Sequence, residues 1–198
     1  MKDALNMKIE SMTLTGTGIP SGKTGVWCFL ASEITVFGGL IGSYLVVRLG
    51  SGGWPEATAH LSFSLALFNT LVLLTSSMTM VLAFDAVEKG DSKKLRTFLF
   101  LTILLGLVFL GVKAFEYAGK LAHGFTPGAG IFWSFYYGMT GLHALHVLAG
   151  VIVNTILFME TLGNALKPNE HRVELAGLYW HFVDIVWIFL FPLLYLTG

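Results

Sequence analysis

The chain has 198 residues, of which 55% are hydrophobic and 12% charged, and its mean hydropathy is +0.73. A soluble domain usually carries about 25% charged residues, so this composition excludes a soluble protein and indicates an integral membrane protein. The formal net charge is zero and no basic tract is present, which argues against nucleic acid as a partner. The single cysteine, Cys28, excludes an internal disulfide framework.

Five long apolar stretches follow a polar tail over residues 1–24 and form one transmembrane domain over residues 25–198. A helix of about 20 residues crosses the roughly 30 Å of hydrocarbon in a bilayer. We predict spans at about 26–47, 61–84, 95–118, 131–159 and 176–196. The stretches do not alternate as barrel strands would. The sequence therefore predicts an all-α membrane protein, a bundle of five transmembrane helices.

The distribution of lysine and arginine predicts how the bundle is oriented, because basic residues concentrate on the cytoplasmic side. Nine of them fall on one side: Lys2, Lys8, Lys23, Lys89, Lys93, Lys94, Arg96, Lys167 and Arg172. Three belong to the other side: Arg48, Lys113 and Lys120. We therefore expect a cytoplasmic N-terminus and a C-terminus outside.

Several ionisable side chains lie inside the predicted spans, and each is a candidate functional residue because an unpaired charge in hydrocarbon costs several kcal/mol. They are Glu33, Lys113, Glu116, His143, His146, His181 and Asp184. The spans also carry polar residues that we expect to form hydrogen bonds between helices. These are Asn69, Ser76 and Ser77.

Glu33 and Asp184 are predicted to lie at matching depths. Glu33 is about 10 Å, and Asp184 about 12 Å, from the cytoplasmic end of helices that run the same way. The fourth span runs the opposite way and places His146 at about 20 Å and His143 at about 24 Å. Because that span is long enough to protrude, we favour His146 over His143 as the imidazole partner. We expect a buried polar network of Glu33, His146 and Asp184, with His143 as a further candidate member, either structural or proton-handling.

Other readings of the histidines stay open. Two histidines three residues apart resemble part of a metal site, but a closed site needs three or four converging ligands. We therefore predict no metal ligand in this chain. A membrane cytochrome with His143, His146 or His181 as haem ligands is a rival hypothesis. A stand-alone proton channel is another, although the outer half of the spans offers little polarity beyond Lys113 and Glu116.

Lys113 and Glu116 are three residues apart on one predicted helix, so we expect a local ion pair that lowers the energy of inserting them into the membrane. Aromatic residues cluster in the last span. We predict that Tyr179, Trp180, His181 and Trp187 lie at an interface, against lipid or in helix packing.

The chain contains six motifs that, taken together and in their order along the sequence, resemble subunit III of the haem–copper terminal oxidases, in its short five-helix form. The resemblance runs through nearly all of the chain from Trp27 onward, and the last two motifs are the most specific. The motifs are SE (32–33), NTLVLLTSS (69–77), EKGD (88–91), LGLVFLGVKAFEY (105–117), TGLHALHVLAG (140–150) and LYWHFVDIVWIFLF (178–191). Two departures are noted: larger members have two additional N-terminal helices, and Ala144 replaces a glycine usual between the histidines.

The resemblance implies a non-redox accessory subunit in a bacterial cytoplasmic (inner) membrane. Haem and copper would lie in partner subunits, subunit I would be the main contact, and subunit II and further small subunits would be other partners. The family binds phospholipid and supports proton uptake by subunit I. Its carbodiimide-reactive buried glutamate matches Glu33, and its polar cluster matches Glu33, His146 and Asp184. A homologous subunit of a quinol oxidase or a nitric oxide reductase is the alternative within the superfamily.

Overall fold

The structure is a computed structural model that describes residues 21–162 and 170–196. The first twenty residues of the predicted tail and residues 163–169, which include Lys167, lie outside the described residues. The described residues form six helices and no strand. The helices are α1 (Ser21–Ser51), α2 (Pro55–Ala59), α3 (Phe63–Glu88), α4 (Ser92–Ala122), α5 (Ile131–Leu162) and α6 (Glu170–Tyr195).

The five long helices are apolar enough to cross a membrane, which confirms the predicted fold class. Each extends beyond its predicted span at one or both ends, because a helix does not end where the hydrocarbon ends. The 31 residues of α4, for example, measure about 46 Å at 1.5 Å per residue. The short helix α2 was not predicted, and it begins with Pro55, whose fixed φ suits the first helical position.

The tight turn between α3 and α4 follows from its sequence, EKGD. Gly90 has φ 70°, a left-handed conformation that favours glycine, and Asp91 N–H then donates to the Ala86 carbonyl at 2.9 Å. The Asp91 side chain accepts from Lys94 N–H at 3.1 Å and so caps the start of α4. This backbone N–H holds the pKa of the Asp91 carboxyl below its usual value. The two helices are thereby set antiparallel.

Four of the helices close a ring in which each packs on two neighbours, in the order α3, α4, α5, α6 and back to α3. The helix α1 lies outside this ring against α5 and α6. Most large apolar side chains of α1 are exposed, such as Val46 at 71% and Leu49 at 83%. The ring is therefore the core of the fold, and α1 is its peripheral element.

The indole of Trp180 on α6 fills the centre of the ring and is fully buried. It lies against Gly106 of α4 and Gly150 of α5, and its Nε1–H donates to Ser76 Oγ of α3 at 3.2 Å. A Cβ atom at Gly150 would lie 2.5 Å from Trp180 Cε3, and one at Gly106 would lie 2.9 Å from Trp180 Cη2. Both positions therefore require the absence of a side chain.

We expect Gly150→Ala to destabilise the bundle by about 1–3 kcal/mol, because the added methyl overpacks the Trp180 site. Gly138→Ala on the same helix is the matched control, since no heavy atom lies within 4 Å of its added Cβ. The control should be neutral or slightly stabilising through helix propensity. Thermal unfolding of the full chain in detergent measures both, and equal melting temperatures for the two variants would contradict the packing described.

Candidate functional site

Glu33 of α1 and His146 of α5 form a hydrogen-bonded pair across the junction between α1 and the ring. Glu33 Oε2 lies 3.0 Å from His146 Nε2, and the side chains are 17% and 13% exposed, respectively. The Phe37 ring, one turn further along α1, packs edge-on against the imidazole with centroids 5.3 Å apart. A partly desolvated carboxylate and imidazole thus meet where two apolar helices pack.

The hydrogen bonds of His146 determine how many protons this pair holds. His146 Nδ1 lies 2.9 Å from the Leu142 carbonyl oxygen, which can only accept, so Nδ1 carries a proton. The contact between Nε2 and Glu33 Oε2 then requires a second proton, carried by either the imidazole or the carboxyl. The pair is neutral overall in both cases. It therefore holds one proton that can lie on either partner.

Two further contacts attach α1, one near each end. Lys23 forms an ion pair with Glu174 of α6 near the start of α1. Tyr44 donates from its hydroxyl to the Leu193 carbonyl of α6 at 3.3 Å, beyond the middle of α1. The Glu33–His146 pair is therefore the polar contact in the middle of the helix, between these two.

The structure does not bring Asp184 into contact with Glu33 or His146, contrary to the expected three-residue network. Asp184 is 3% exposed, and neither of its oxygens has a hydrogen-bond partner among the described residues. The hydroxyl of Ser77 on α3 acts on its carboxyl group. The rotation of α6 turns Asp184 towards Ser77 on α3, whereas Phe182 and Ile185 line the groove that faces α1.

Residues before and after Asp184 show the same rotation of α6. His181 Nδ1 lies 2.7 Å from Ser77 Oγ, and Trp187 Nε1–H donates to Thr70 Oγ1 at 3.0 Å. Trp180 and Trp187 are fully buried, so helix packing is the position they occupy among those expected for them. Their indole N–H groups find hydroxyl acceptors on α3, which allows this burial.

Tyr179 supplies the contact between α6 and His146 that was expected from Asp184. Its hydroxyl donates to the His146 carbonyl oxygen at 3.0 Å. His143, the other candidate imidazole, lies in the ring instead, fully buried and stacked on Trp187 with centroids 5.1 Å apart. Neither ring nitrogen of His143 has a hydrogen-bond partner among the described residues.

Lys113 and Glu116 are joined as the spacing predicted, with Nζ and Oε2 2.9 Å apart, and they belong to a larger buried cluster. Tyr195 donates from its hydroxyl to Glu116 Oε1 at 2.9 Å, and Lys120 Nζ lies 3.7 Å from the same oxygen. Lys120 had been counted as an outer-side charge. Its position four residues after Glu116 on one helix was the signal that could have placed it here.

An apolar groove of about 520 Å³ separates α1 from α6. His181 lines this groove, and the other lining residues are apolar or glycine. The aromatic members of the lining are Trp27, Phe37, Phe182 and Phe189. Within residues 21–162 and 170–196, no group of three or more His, Cys, Asp or Glu side chains is arranged to hold a metal ion.

Comparison with known proteins identifies the family to which the chain is similar. The family model for cytochrome c oxidase subunit III matches residues 12–198. Cytochrome c oxidase subunit 3 of Corynebacterium diphtheriae is 37% identical over 87% of this chain and 86% of its own length. The protein of that name from Alkalihalophilus pseudofirmus is 35% identical, over 93% of this chain and 96% of its own length. A probable quinol oxidase subunit 3 of Staphylococcus haemolyticus is 34% identical, over 89% of each chain.

The five apolar helices and the polar contacts between them define a multi-pass helical membrane protein. The chain belongs to the cytochrome c oxidase subunit III family. Membership in this family implies that other subunits of a terminal oxidase are its partners.

We expect Glu33→Ala to lower the free energy of unfolding by about 1–3 kcal/mol, because it leaves a largely buried imidazole nitrogen without a partner. Glu33→Gln should lose clearly less, since its amide N–H can donate to Nε2. Ser32→Ala is the control, because Ser32 is exposed and bonds the Phe29 carbonyl of its own helix. Thermal unfolding of the full chain in detergent ranks the variants. Equal losses for Glu33→Ala and Ser32→Ala would refute the bond.

Proposed function

We propose that this chain is the accessory, non-redox subunit III of a bacterial aerobic terminal oxidase of the cytochrome c oxidase type. It lies in the cytoplasmic membrane with its N-terminus inside. It packs mainly against subunit I, with subunit II and further small subunits nearby, and haem and copper belong to those partners. The observation that carries the proposal is the family match over residues 12–198, because it includes all five long helices.

The helix α1 is the element through which the chain supports its partners in this proposal. In the described part of the chain it is attached to the ring at three polar points and by a few buried side chains such as Leu30 and Phe37, and most of its other large apolar side chains are exposed. An exposed apolar helix face in a membrane protein suits packing against another helix or lipid. The apolar groove between α1 and α6 suits a phospholipid acyl chain held beside subunit I.

The Glu33–His146 pair supports a role in proton uptake because it holds one proton shared between two groups of different chemistry. The pair is not sealed inside the ring, since both side chains keep a small exposed fraction at the edge of α1. A group that accepts and releases a proton beside subunit I would help to supply its uptake path. The pair would thus join two tasks, attachment of α1 and local proton exchange.

The alternative within the superfamily is subunit III of a quinol oxidase. One relative of similar identity is named a probable quinol oxidase subunit 3. The resemblance of this chain therefore does not distinguish cytochrome c from quinol as the electron donor of the complex. A homologous subunit of a nitric oxide reductase is a further candidate. Purification of the native complex separates them, because a copper-binding subunit II accompanies the cytochrome c type.

We expect Glu33→Ala to accelerate the loss of oxidase activity during turnover by roughly fivefold, the factor that corresponds to about 1 kcal/mol of lost attachment. Asp184→Ala should have a smaller effect, because Asp184 forms no bond to α1. The initial rate should also fall in Glu33→Ala, because the pair that exchanges the proton is lost, and should change little in Asp184→Ala. The measurement is oxygen consumption by the purified complex over many turnovers, with Ser32→Ala as control. Unchanged assembly and lifetime in Glu33→Ala would overturn the proposed role of the pair.

A second measurement tests the non-redox assignment against a membrane cytochrome. The full chain, purified without its partners from cells supplied with haem, should show no Soret band that follows the polypeptide. A Soret band lost in His143→Ala, His146→Ala or His181→Ala would instead establish haem ligation by this chain.

A further inference from the structure

A pocket of about 280 Å³ with several polar side chains in its wall lies at the end of the bundle where α4 ends and α3 begins, apart from the groove between α1 and α6. His60, Lys120 and His123 contribute basic groups to its wall, and Ser62 and Glu116 also line it. This is the side opposite the Lys23–Glu174 ion pair, on which the charge distribution places the outer surface. None of the roles described above uses this pocket.

Lys120 carries the charge of the pocket although its side chain is only 8% exposed. Its Nζ donates to the His60 carbonyl oxygen at 3.1 Å, and it lies 5.9 Å from the centres of the Trp133 and Tyr136 rings. An ammonium has three N–H donors. The carbonyl takes one, and the contact with Glu116 Oε1, at 3.7 Å, is too long for a hydrogen bond.

The local charge is not balanced by the described residues. Glu116 is within ion-pair distance of both Lys113 and Lys120, and no other carboxylate in the described part of the chain is within that distance of either lysine. Two ammonium groups therefore share one carboxylate, which leaves one positive charge in excess inside a largely apolar bundle. Such a charge is costly in a membrane unless an anion accompanies it.

The start of α3 adds a second, independent feature that attracts an anion. Ser62 is the N-cap of this 26-residue helix, and its side chain forms no cap hydrogen bond. The first N–H groups of a helix have no partner within it, and they carry the positive end of its dipole. Ser62 and Leu65 line the pocket, so this helix end borders the same space as Lys120.

We propose that this pocket binds a phosphate group, supplied by the headgroup of an anionic phospholipid of the outer leaflet. The excess charge of one favours a headgroup with a net negative charge over a zwitterionic one. Phe115, which lines the pocket and is 75% exposed, offers an apolar surface for the acyl chains beside the headgroup. Free phosphate has the same chemistry as a ligand, and the experiment separates the two sources.

The test measures lipid retained by the purified oxidase complex in nanodiscs of equal parts phosphatidylglycerol and phosphatidylcholine. After transfer to detergent, bound lipid is counted by mass spectrometry. Lys120→Gln should retain about fivefold less phosphatidylglycerol, as expected for one lysine near a membrane surface. Retained phosphatidylcholine should not change. Lys93→Gln, an exposed lysine at the other end of α4, is the matched control and should resemble the unmodified complex.

A second pair of variants keeps the proposal testable if Lys120→Gln does not assemble. Ser62→Asp places a carboxylate in the pocket at an exposed position where aspartate is a good helix cap, so the fold is retained. It should expel phosphatidylglycerol to a similar extent, whereas the neutral cap in Ser62→Asn should not. A loss of lipid without a loss of melting temperature distinguishes binding from a structural role.

Inorganic phosphate added to the delipidated complex identifies the source of the anion. Protection against thermal unfolding by phosphatidylglycerol, but not by millimolar phosphate, supports the lipid headgroup. Protection by phosphate alone, abolished in Ser62→Asp, retains the anion site and overturns the lipid assignment. Equal phosphatidylglycerol retention by the unmodified complex and Ser62→Asp, with no protection by phosphate, refutes the site altogether.

Discussion

The indole of Trp180 occupies space at the centre of the ring that Gly106 and Gly150 leave open, and the arrangement of four helices depends on this contact. One side chain from α6 touches α4 and α5 and donates a hydrogen bond to Ser76 on α3. Because lipid is as apolar as the helix surfaces, burial from water does not hold these helices together. Close packing at small residues and hydrogen bonds between helices supply the attraction instead.

The same physical rule explains why α1 is attached to the ring less closely than the other long helices are attached to one another. It contributes only a few buried side chains, such as Leu30 and Phe37, and polar groups join it to the ring at separate points along its length. Glu33 and His146 form the middle contact. A helix attached in this way leaves an apolar groove and an apolar outer face, and in a multisubunit complex both are surfaces on which lipid or another subunit can complete the packing.

Most of the fold was predictable from the sequence, and part of the candidate site was. Hydropathy predicted the five spans, and the three-residue spacing of Lys113 and Glu116 predicted their contact, because both depend on local geometry along one helix. Depth counting matched Asp184 with Glu33, and the length of the fourth span favoured His146 as their partner, but Asp184 has no hydrogen-bond partner among the described residues. Depth is one coordinate, and the rotation of a helix about its axis is another that the sequence pattern left undetermined.

The sequence by itself determined that this is a five-helix membrane protein and which polar groups its bundle must accommodate. Only the tertiary structure decided the partners of those groups. It turned Asp184 towards Ser77, gave Tyr179 the contact with His146, and brought Lys120 into the cluster around Glu116. The physical reason is that composition and spacing act within one helix, whereas the pairing of buried polar groups depends on how neighbouring helices rotate to pack.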